Sequence, residues 1–284
     1  MSRTLAALLA LFCATFGAPV RAQETPPARR EDGGQAPETG PLSEEEFKAL
    51  HTLRQDGNPV LRGEAVKVGE DTCYLSKPAN AAPGGPAVVV IHEWWGLNEN
   101  VKHWADRLAA EGYTALAVDL YGGQVATTPD QAMGLMKAVD PAVAVRRLKA
   151  AAAFLRETPT IKAGRLGSIG WCFGGAQSLA LAQNDPDLAC AVIYYGGNPP
   201  QDARAVEAVK AKVICIYGAK DHSIPPERVA AFDKAMTDAK VEHEVHSYDA
   251  DHAFANPSNP RYQSEAAADA WAKVKTWMAR HLKP

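Results

Sequence analysis

The sequence predicts a layered α/β domain: a mostly parallel sheet with helices on both faces. Three observations carry this. Short apolar runs alternate with amphipathic stretches from Gly63 onward, the rhythm of β-α-β units and parallel sheets. The run at 87–92 (AVVVIH) is almost wholly apolar, as a strand covered on both faces must be. The composition, 46% hydrophobic and 22% charged over 284 residues, supplies apolar material for one core, and about 230–250 residues is ordinary for a single domain of this kind.

Taken in order, Ser43 followed by Glu44, Glu45 and Glu46 reads as an N-cap with acids in the first turn, opening a helix over 43–55. Strands follow at 64–68 and 72–75, paired as a hairpin, and then the buried strand at 87–92. The next elements are a helix at 99–111, a strand at 113–119, and helices at 129–138 and 141–157. Strand 165–170 leads into a helix at 174–183. Strand 189–195, helix 202–210, strand 212–217, helix 225–238, strand 241–247 and helix 262–281 complete the series. No internal repeat and no second domain are visible, so residues 43–284 read as one unit.

The N-terminus reads as a secretory leader. Arg3 supplies the positive start, residues 5–16 a short apolar stretch, and Val20-Arg21-Ala22 a small-residue cleavage site. The apolar stretch is too short to span a bilayer, so the expectation is export, to the periplasm or the medium, with cleavage after Ala22 and no stable membrane anchor. Residues 23–42 are rich in Pro, Gly and Glu and nearly free of large apolar side chains. They predict a flexible linker. The formal charge of −3 comes with no basic patch, which argues against nucleic acid as a partner. Four cysteines remain after the leader. Cys190 and Cys215 lie in strand-like apolar runs and read as small core hydrophobes rather than a bridge.

In open α/β sheets the chemistry gathers just beyond the carboxyl ends of the strands. Glu93, Trp94 and Trp95 follow strand 87–92. Cys172 follows strand 165–170, inside Gly167-Ser168-Ile169-Gly170-Trp171-Cys172-Phe173-Gly174-Gly175. Asp221 follows strand 212–217, and His252 follows strand 241–247. A thiol centred in such a glycine run is a nucleophile elbow, a tight strand-to-helix turn in which side chains on the flanking residues would collide. The order nucleophile, acid, base matches the Ser…Asp/Glu…His order of α/β hydrolases with cysteine in place of serine. A thiol is a poor nucleophile until ionised. His252 would take its proton and later give one to the leaving group, while Asp221 would hold the imidazole. The amides of Phe173 and Trp94 would form the oxyanion hole. Asp221 is equally at home as a turn residue before Pro225. His222, His243 and His246 are rival bases, and Asp249 and Asp251 rival acids. Unlike His252, His243 and His246 lie within a strand pattern, and the rival acids share a strand with the base. His92-Glu93 and Asp251-His252 lack the spacing of a zinc site, so no metal and no cofactor are expected.

Five blocks in series resemble the dienelactone hydrolase family, cysteine-dependent α/β hydrolases: His92-Glu93-Trp94-Trp95-Gly96-Leu97-Asn98, Asp119-Leu120-Tyr121, Gly170-Trp171-Cys172-Phe173-Gly174-Gly175, Gly218-Ala219-Lys220-Asp221, and Asp251-His252-Ala253-Phe254. The resemblance spans about residues 60–282. It implies the α/β-hydrolase fold, attack of a thiolate on an ester or lactone carbonyl, and an acyl-enzyme that water hydrolyses. It also implies that Glu93 touches the resting thiol and helps to generate the thiolate, and that Trp95, Tyr121 and Phe254 line the substrate pocket. The chain departs from the family at the arginines that bind the dienelactone carboxylate. Asn256 stands four residues past His252 where one of them lies, and 132–137 (AMGLMK) has none; Lys137 and Arg261 are the cations that could substitute. The apolar 132–136 predicts a neutral or hydrophobic acyl or alcohol group. A thioesterase or peptidase would use the same triad, and an idle binding scaffold would keep the fold alone. The expected partner is a small-molecule ester or lactone, with the chain a monomer or small homo-oligomer.

Overall fold

The computed structural model describes residues 43–51 and 60–283. The leader at 1–22, the linker at 23–42 and the end of the helix expected at 43–55 lie outside the described residues. Eight strands form one sheet: β1 (Glu64–Val68), β2 (Asp71–Ser76), β3 (Ala87–Ile91), β4 (Thr114–Val118), β5 (Leu166–Trp171), β6 (Cys190–Tyr194), β7 (Lys212–Gly218) and β8 (His243–Tyr248). Their order across the sheet is β1-β2-β4-β3-β5-β6-β7-β8. The β1–β2 hairpin is antiparallel and joins β4 antiparallel; every pairing from β4 to β8 is parallel.

Seven α-helices are described: α1 (Glu44–His51), α2 (Glu99–Ala110), α3 (Pro129–Ala138), α4 (Pro141–Glu157), α5 (Phe173–Asn184), α6 (Pro226–Asp238) and α7 (Ser264–Leu282). Sequence punctuation sets their starts. Thr128 and Asp140 accept from the first free amides of α3 and α4, each just ahead of a proline that needs no donor. The helix expected at 202–210 is absent. Asp202 caps only a 3-10 turn, Ala203–Ala205. Further i→i+3 bonds, Val206 N–H to Ala203 and Val209 N–H to Val206, follow it. These tight turns bring Val206 and Val209, both buried, down onto the core three residues apart, a spacing that 3-10 geometry eclipses.

The central strands are covered on both faces: all five residues of β3, β4 and β6 are buried. Cys190 and Cys215 sit in that core as free thiols. The β6–β7 register pairs Cys215 with Ile193, not with Cys190. Three residues of offset separate the two cysteines by roughly 10 Å, beyond the ~7 Å reach of a disulfide.

One charged residue is built into the core. Arg107 of α2 is 1% exposed and ranks first among the largest fully buried side chains. Its Nη2 donates to Glu44 of α1 at 2.6 Å. Its guanidinium carbon lies 4.4, 5.0 and 4.7 Å from the ring centres of Phe47, Trp104 and Trp271. The second oxygen of Glu44 accepts from Tyr262 at 2.8 Å, so α1 is tied both to α2 and to the chain that leads from β8 into α7. Removing one partner of a buried pair leaves an uncompensated charge. Glu44→Ala should therefore cost on the order of 3 kcal/mol, read as a lower urea midpoint; an unchanged midpoint would mean that α1 contributes nothing to the domain.

Candidate active site

The strand order reverses at β3. The chain leaves β3 for β4 on one side, then crosses to β5 on the other, and the crevice at such a switch point is where open α/β sheets bind ligands. The β3–β5 register pairs Ile91 with Gly170. It therefore brings the loop that opens with Glu93 and the elbow at Cys172 to the same end of adjacent strands. The elbow closes this arrangement. Cys172 adopts φ 55° and ψ −116°, a region non-glycine residues enter only under constraint. A Cβ on Gly170 would collide with the carbonyl of Gly174, and one on Gly174 with the carbonyls of Ile91 and His92. Strand, helix and β3 thus meet at closer range than any larger residue permits. Cys172 ends half-buried at the N-terminus of α5, where the helix dipole favours an anion, and the first helical amide, that of Phe173, has no acceptor within its own helix.

His252 lies across from it. Its Nδ1 meets Asp221 Oδ2 at 2.6 Å, and the Cys172 side chain lies close enough to act on its charge. Asp221 divides its two oxygens. Oδ1 accepts from Ser223 N–H at 2.9 Å, Ser223 Oγ at 2.5 Å and Ile224 N–H at 3.3 Å, while Oδ2 is left for the imidazole. Asp221 is thus a turn residue through Oδ1 and the imidazole's hydrogen-bond partner through Oδ2. Burial opposes charge on this carboxyl, but the bonds from His252 and Ser223 outweigh it and hold it below the usual carboxylate range. Burial likewise opposes charge on His252. The bond to Asp221, the Cys172 side chain and the charges of both override it and raise the imidazole to about 10, so the ring carries its proton at neutral pH. Two of the rival histidines are engaged elsewhere: His243 pairs with Asp233 and His246 with Glu244. Of the rival acids, Asp249 pairs with Lys220 at the surface.

Glu93 is 5% exposed. Its Oε2 accepts from Asn256 Nδ2 at 2.6 Å, and its Oε1 is buried without a hydrogen-bond partner among the described residues. Burial raises its carboxyl to about 7 against the opposing pull of the His252 charge and the Asn256 bond. The adjacent His92 is a scaffold residue. Its Nε2 accepts from Leu120 N–H at 3.1 Å, leaving Nδ1 to donate to the carbonyl of Glu93 at 2.5 Å. Burial lowers it to about 4, so it stays neutral.

Aromatic rings surround these groups. Tyr121 packs on His92 and Phe173 with ring centres 4.6 and 5.6 Å apart. Trp94 and Trp95 form an edge-on pair at 5.1 Å and are half-buried. Phe254 is fully enclosed between Tyr195 and Tyr248, so it buttresses the His252 loop from within. Asp119, at the head of the Asp-Leu-Tyr block, folds the next turn by accepting from the amides of Tyr121 and Gly123. A cavity of about 230 Å³ opens beyond Tyr121, walled by Leu120, Leu135, Val139, Val143 and Arg147. Lys137 and Arg261 are exposed and do not line it. Arg147, the cation that does, is engaged by the Leu120 carbonyl at 2.8 Å and by Asp71 at 2.8 Å.

Sequence reasoning missed two residues. Tyr195 packs against His252 with ring centres 5.0 Å apart and planes tilted by 56°; the expected strand at 189–195 included it, whereas β6 ends at Tyr194 and leaves it just beyond the strand. Asn256 was read only as an arginine lacking, and its partner Glu93 lies 163 residues away, a distance no local pattern bridges.

An elbow thiol after β5, an acid after β7 and a histidine after β8, all at the ends of parallel strands, mark the α/β-hydrolase arrangement. The sequence profile of the dienelactone hydrolase family matches residues 72–282, and the chain belongs to that family: it is a hydrolase of lactones or esters. A Synechocystis protein provisionally named carboxymethylenebutenolidase is 31% identical over 227 residues, covering 74% of this chain and 92% of that one. A crystal structure assigned provisionally as a dienelactone hydrolase of Klebsiella pneumoniae superposes with a TM-score of 0.71 at 29% identity, covering 77% of this chain and 98% of the other. A dienelactone hydrolase-like promiscuous phosphotriesterase from metagenomic libraries superposes with a TM-score of 0.69 at 28% identity, covering 78% and 97%.

Because Asp221 is the anion that holds the His252 proton, Asp221→Asn should lower the pKa of the imidazole. An NMR titration of the His252 ring protons measures this. A titration unmoved from wild type would show that the 2.6 Å contact carries no electrostatic weight.

Proposed function

We propose that the protein hydrolyses neutral carboxylic esters or lactones through a Cys172–His252–Asp221 triad and an acyl-enzyme. The observation that carries this is His252, bonded to Asp221 at 2.6 Å and acted on by the Cys172 side chain. The sulfur anion attacks the carbonyl carbon, an S–C bond forms, and the π pair moves to the carbonyl oxygen. The amides of Phe173 and Trp94 receive that oxygen. Collapse expels the alkoxide, which takes the proton of the His252 imidazolium. Neutral His252 then accepts a proton from water as the hydroxyl adds to the thioester, and the acid leaves with sulfur again an anion. Glu93 sits beside the thiol and meets its proton in the resting state.

The engagement of Arg147, the cation at the cavity beyond Tyr121, and the presence of Asp140 in the same wall favour an uncharged acyl or alcohol group over a free carboxylate. Trp95 and Tyr121 are its lining in this reading. The same reading has the enzyme exported, on the strength of the leader at residues 1–22; a mature chain whose mass begins at Gln23 tests that. A second substrate class, neutral phosphotriesters, is favoured by the structural neighbour described as a promiscuous phosphotriesterase, and assay of paraoxon beside an ester separates the two.

The test of the main reading is hydrolysis of p-nitrophenyl acetate and longer p-nitrophenyl esters by wild type and Cys172→Ala. Loss of at least about 10³-fold in kcat/KM is expected for the variant, the scale of losing a nucleophile. Equal activity in both would remove the thiol from the mechanism.

A further inference from the structure

Glu93 is held by a single hydrogen bond, and that bond comes from a side chain whose orientation the fold dictates. Asn256 Oδ1 accepts from the amide of Ser258 at 2.9 Å and from Asn100 Nδ2 of α2 at 3.4 Å. Both partners are donors, so the oxygen of the amide must face them and the nitrogen must face Glu93. A flipped amide would confront the Ser258 N–H with an NH₂ and the Glu93 oxygen with a carbonyl, four unmatched groups at a residue that is 5% exposed.

We propose that Asn256 is the positioning residue of Glu93: its locked amide pins Oε2 and leaves Oε1, buried and unpartnered, to face the groups that react. This rests on the reading of Glu93 as the carboxyl that meets the Cys172 proton. Asn256 holds the carboxyl without charge. A neutral donor favours the ionised form through one hydrogen bond alone, and burial outweighs it, so Glu93 exchanges its proton near neutrality. The groups facing Glu93 from the packed elements are few. His252, beyond β8, pulls its pKa down. Tyr195, beyond β6, feels the charge of both Glu93 and Cys172 and is kept neutral by complete burial. Cys172 stands at the elbow, and His92, the preceding residue, is neutral. Among the described residues, His252 is the cation that acts on the carboxyl.

The step assigned to Oε1 is a proton transfer: the S–H bond of Cys172 breaks, an O–H bond forms on Oε1, and the electron pair stays on sulfur beside the His252 imidazolium. Its pH midpoint is then set by Glu93, and through Glu93 by Asn256.

The test is the pH dependence, from pH 5 to 9, of alkylation of Cys172 by iodoacetamide, read from the mass of the peptide that contains it in the full chain. It needs no substrate. Wild type should show a midpoint near the Glu93 value of about 7. Asn256→Ala removes the donor and should move the midpoint up by about one pH unit, the scale of one hydrogen bond to a carboxylate. Asn256→Asp keeps the shape and the Ser258 bond but sets an acceptor against Oε2; two carboxyls in contact share a proton, and the midpoint should move further. It decides the matter if the alanine variant does not fold. Glu93→Gln should abolish the midpoint near 7. If Glu93→Gln leaves the profile unchanged, the reading of Glu93 falls and the proposal with it. If Glu93→Gln abolishes the midpoint while both Asn256 variants keep it, changing only the height of the profile, Glu93 stands and Asn256 is merely structural.

Discussion

The rest of the site depends on the strained turn at Cys172. A residue at φ 55° and ψ −116° costs on the order of 1–3 kcal/mol and persists only where its surroundings over-determine it. Here they do. The helix that follows lies so close to β5 and to the end of β3 that only glycine fits at 170 and 174, and the Cys172 amide is anchored on the Tyr194 carbonyl at 3.0 Å. Two other non-glycine residues with positive φ, Tyr195 and Ala253, flank His252 on either side of the crevice. The parallel sheet beneath offsets that strain, and its register brings the ends of β3 and β5 together.

On this rigid frame two carboxyl groups receive opposite treatment. Asp221 takes a bond from the imidazole and three from its own turn, and remains an anion. Glu93 takes one bond from a neutral amide and is otherwise buried, and it moves toward the neutral form. Chemically identical groups are thereby separated into one that holds a charge and one that holds a proton. Sites that run acid and base chemistry at one pH are commonly built by such separation.

The sheet was legible because β3 to β7 are continuous apolar runs, and burial on two faces leaves little else for such sequences to be. The elbow was legible because its constraint is local: glycines and a thiol within nine residues. What escaped was set by contacts distant in sequence. Arg107 lies on an amphipathic helix, where an arginine reads as a surface residue; only the assembled rings of Phe47, Trp104 and Trp271, with Glu44 beneath, make it a core residue. At 202–210, where a helix was expected, the chain instead makes tight i→i+3 turns that bury Val206 and Val209. Asn256 has a local signature of its own, its bond to the Ser258 amide, but nothing nearby announces Glu93.

The cysteines carry one more consequence. Cys73, Cys190 and Cys215 are sealed in strands and their thiols are pushed up by burial, Cys73 to about 11, whereas Cys172 is half-exposed. Among the described residues the native fold therefore offers one thiol to a reagent and hides three, and global unfolding would release them together. The number of labelled sulfurs becomes a gauge of folding written into the chain itself, and Cys172 reads out the intact site on the same scale.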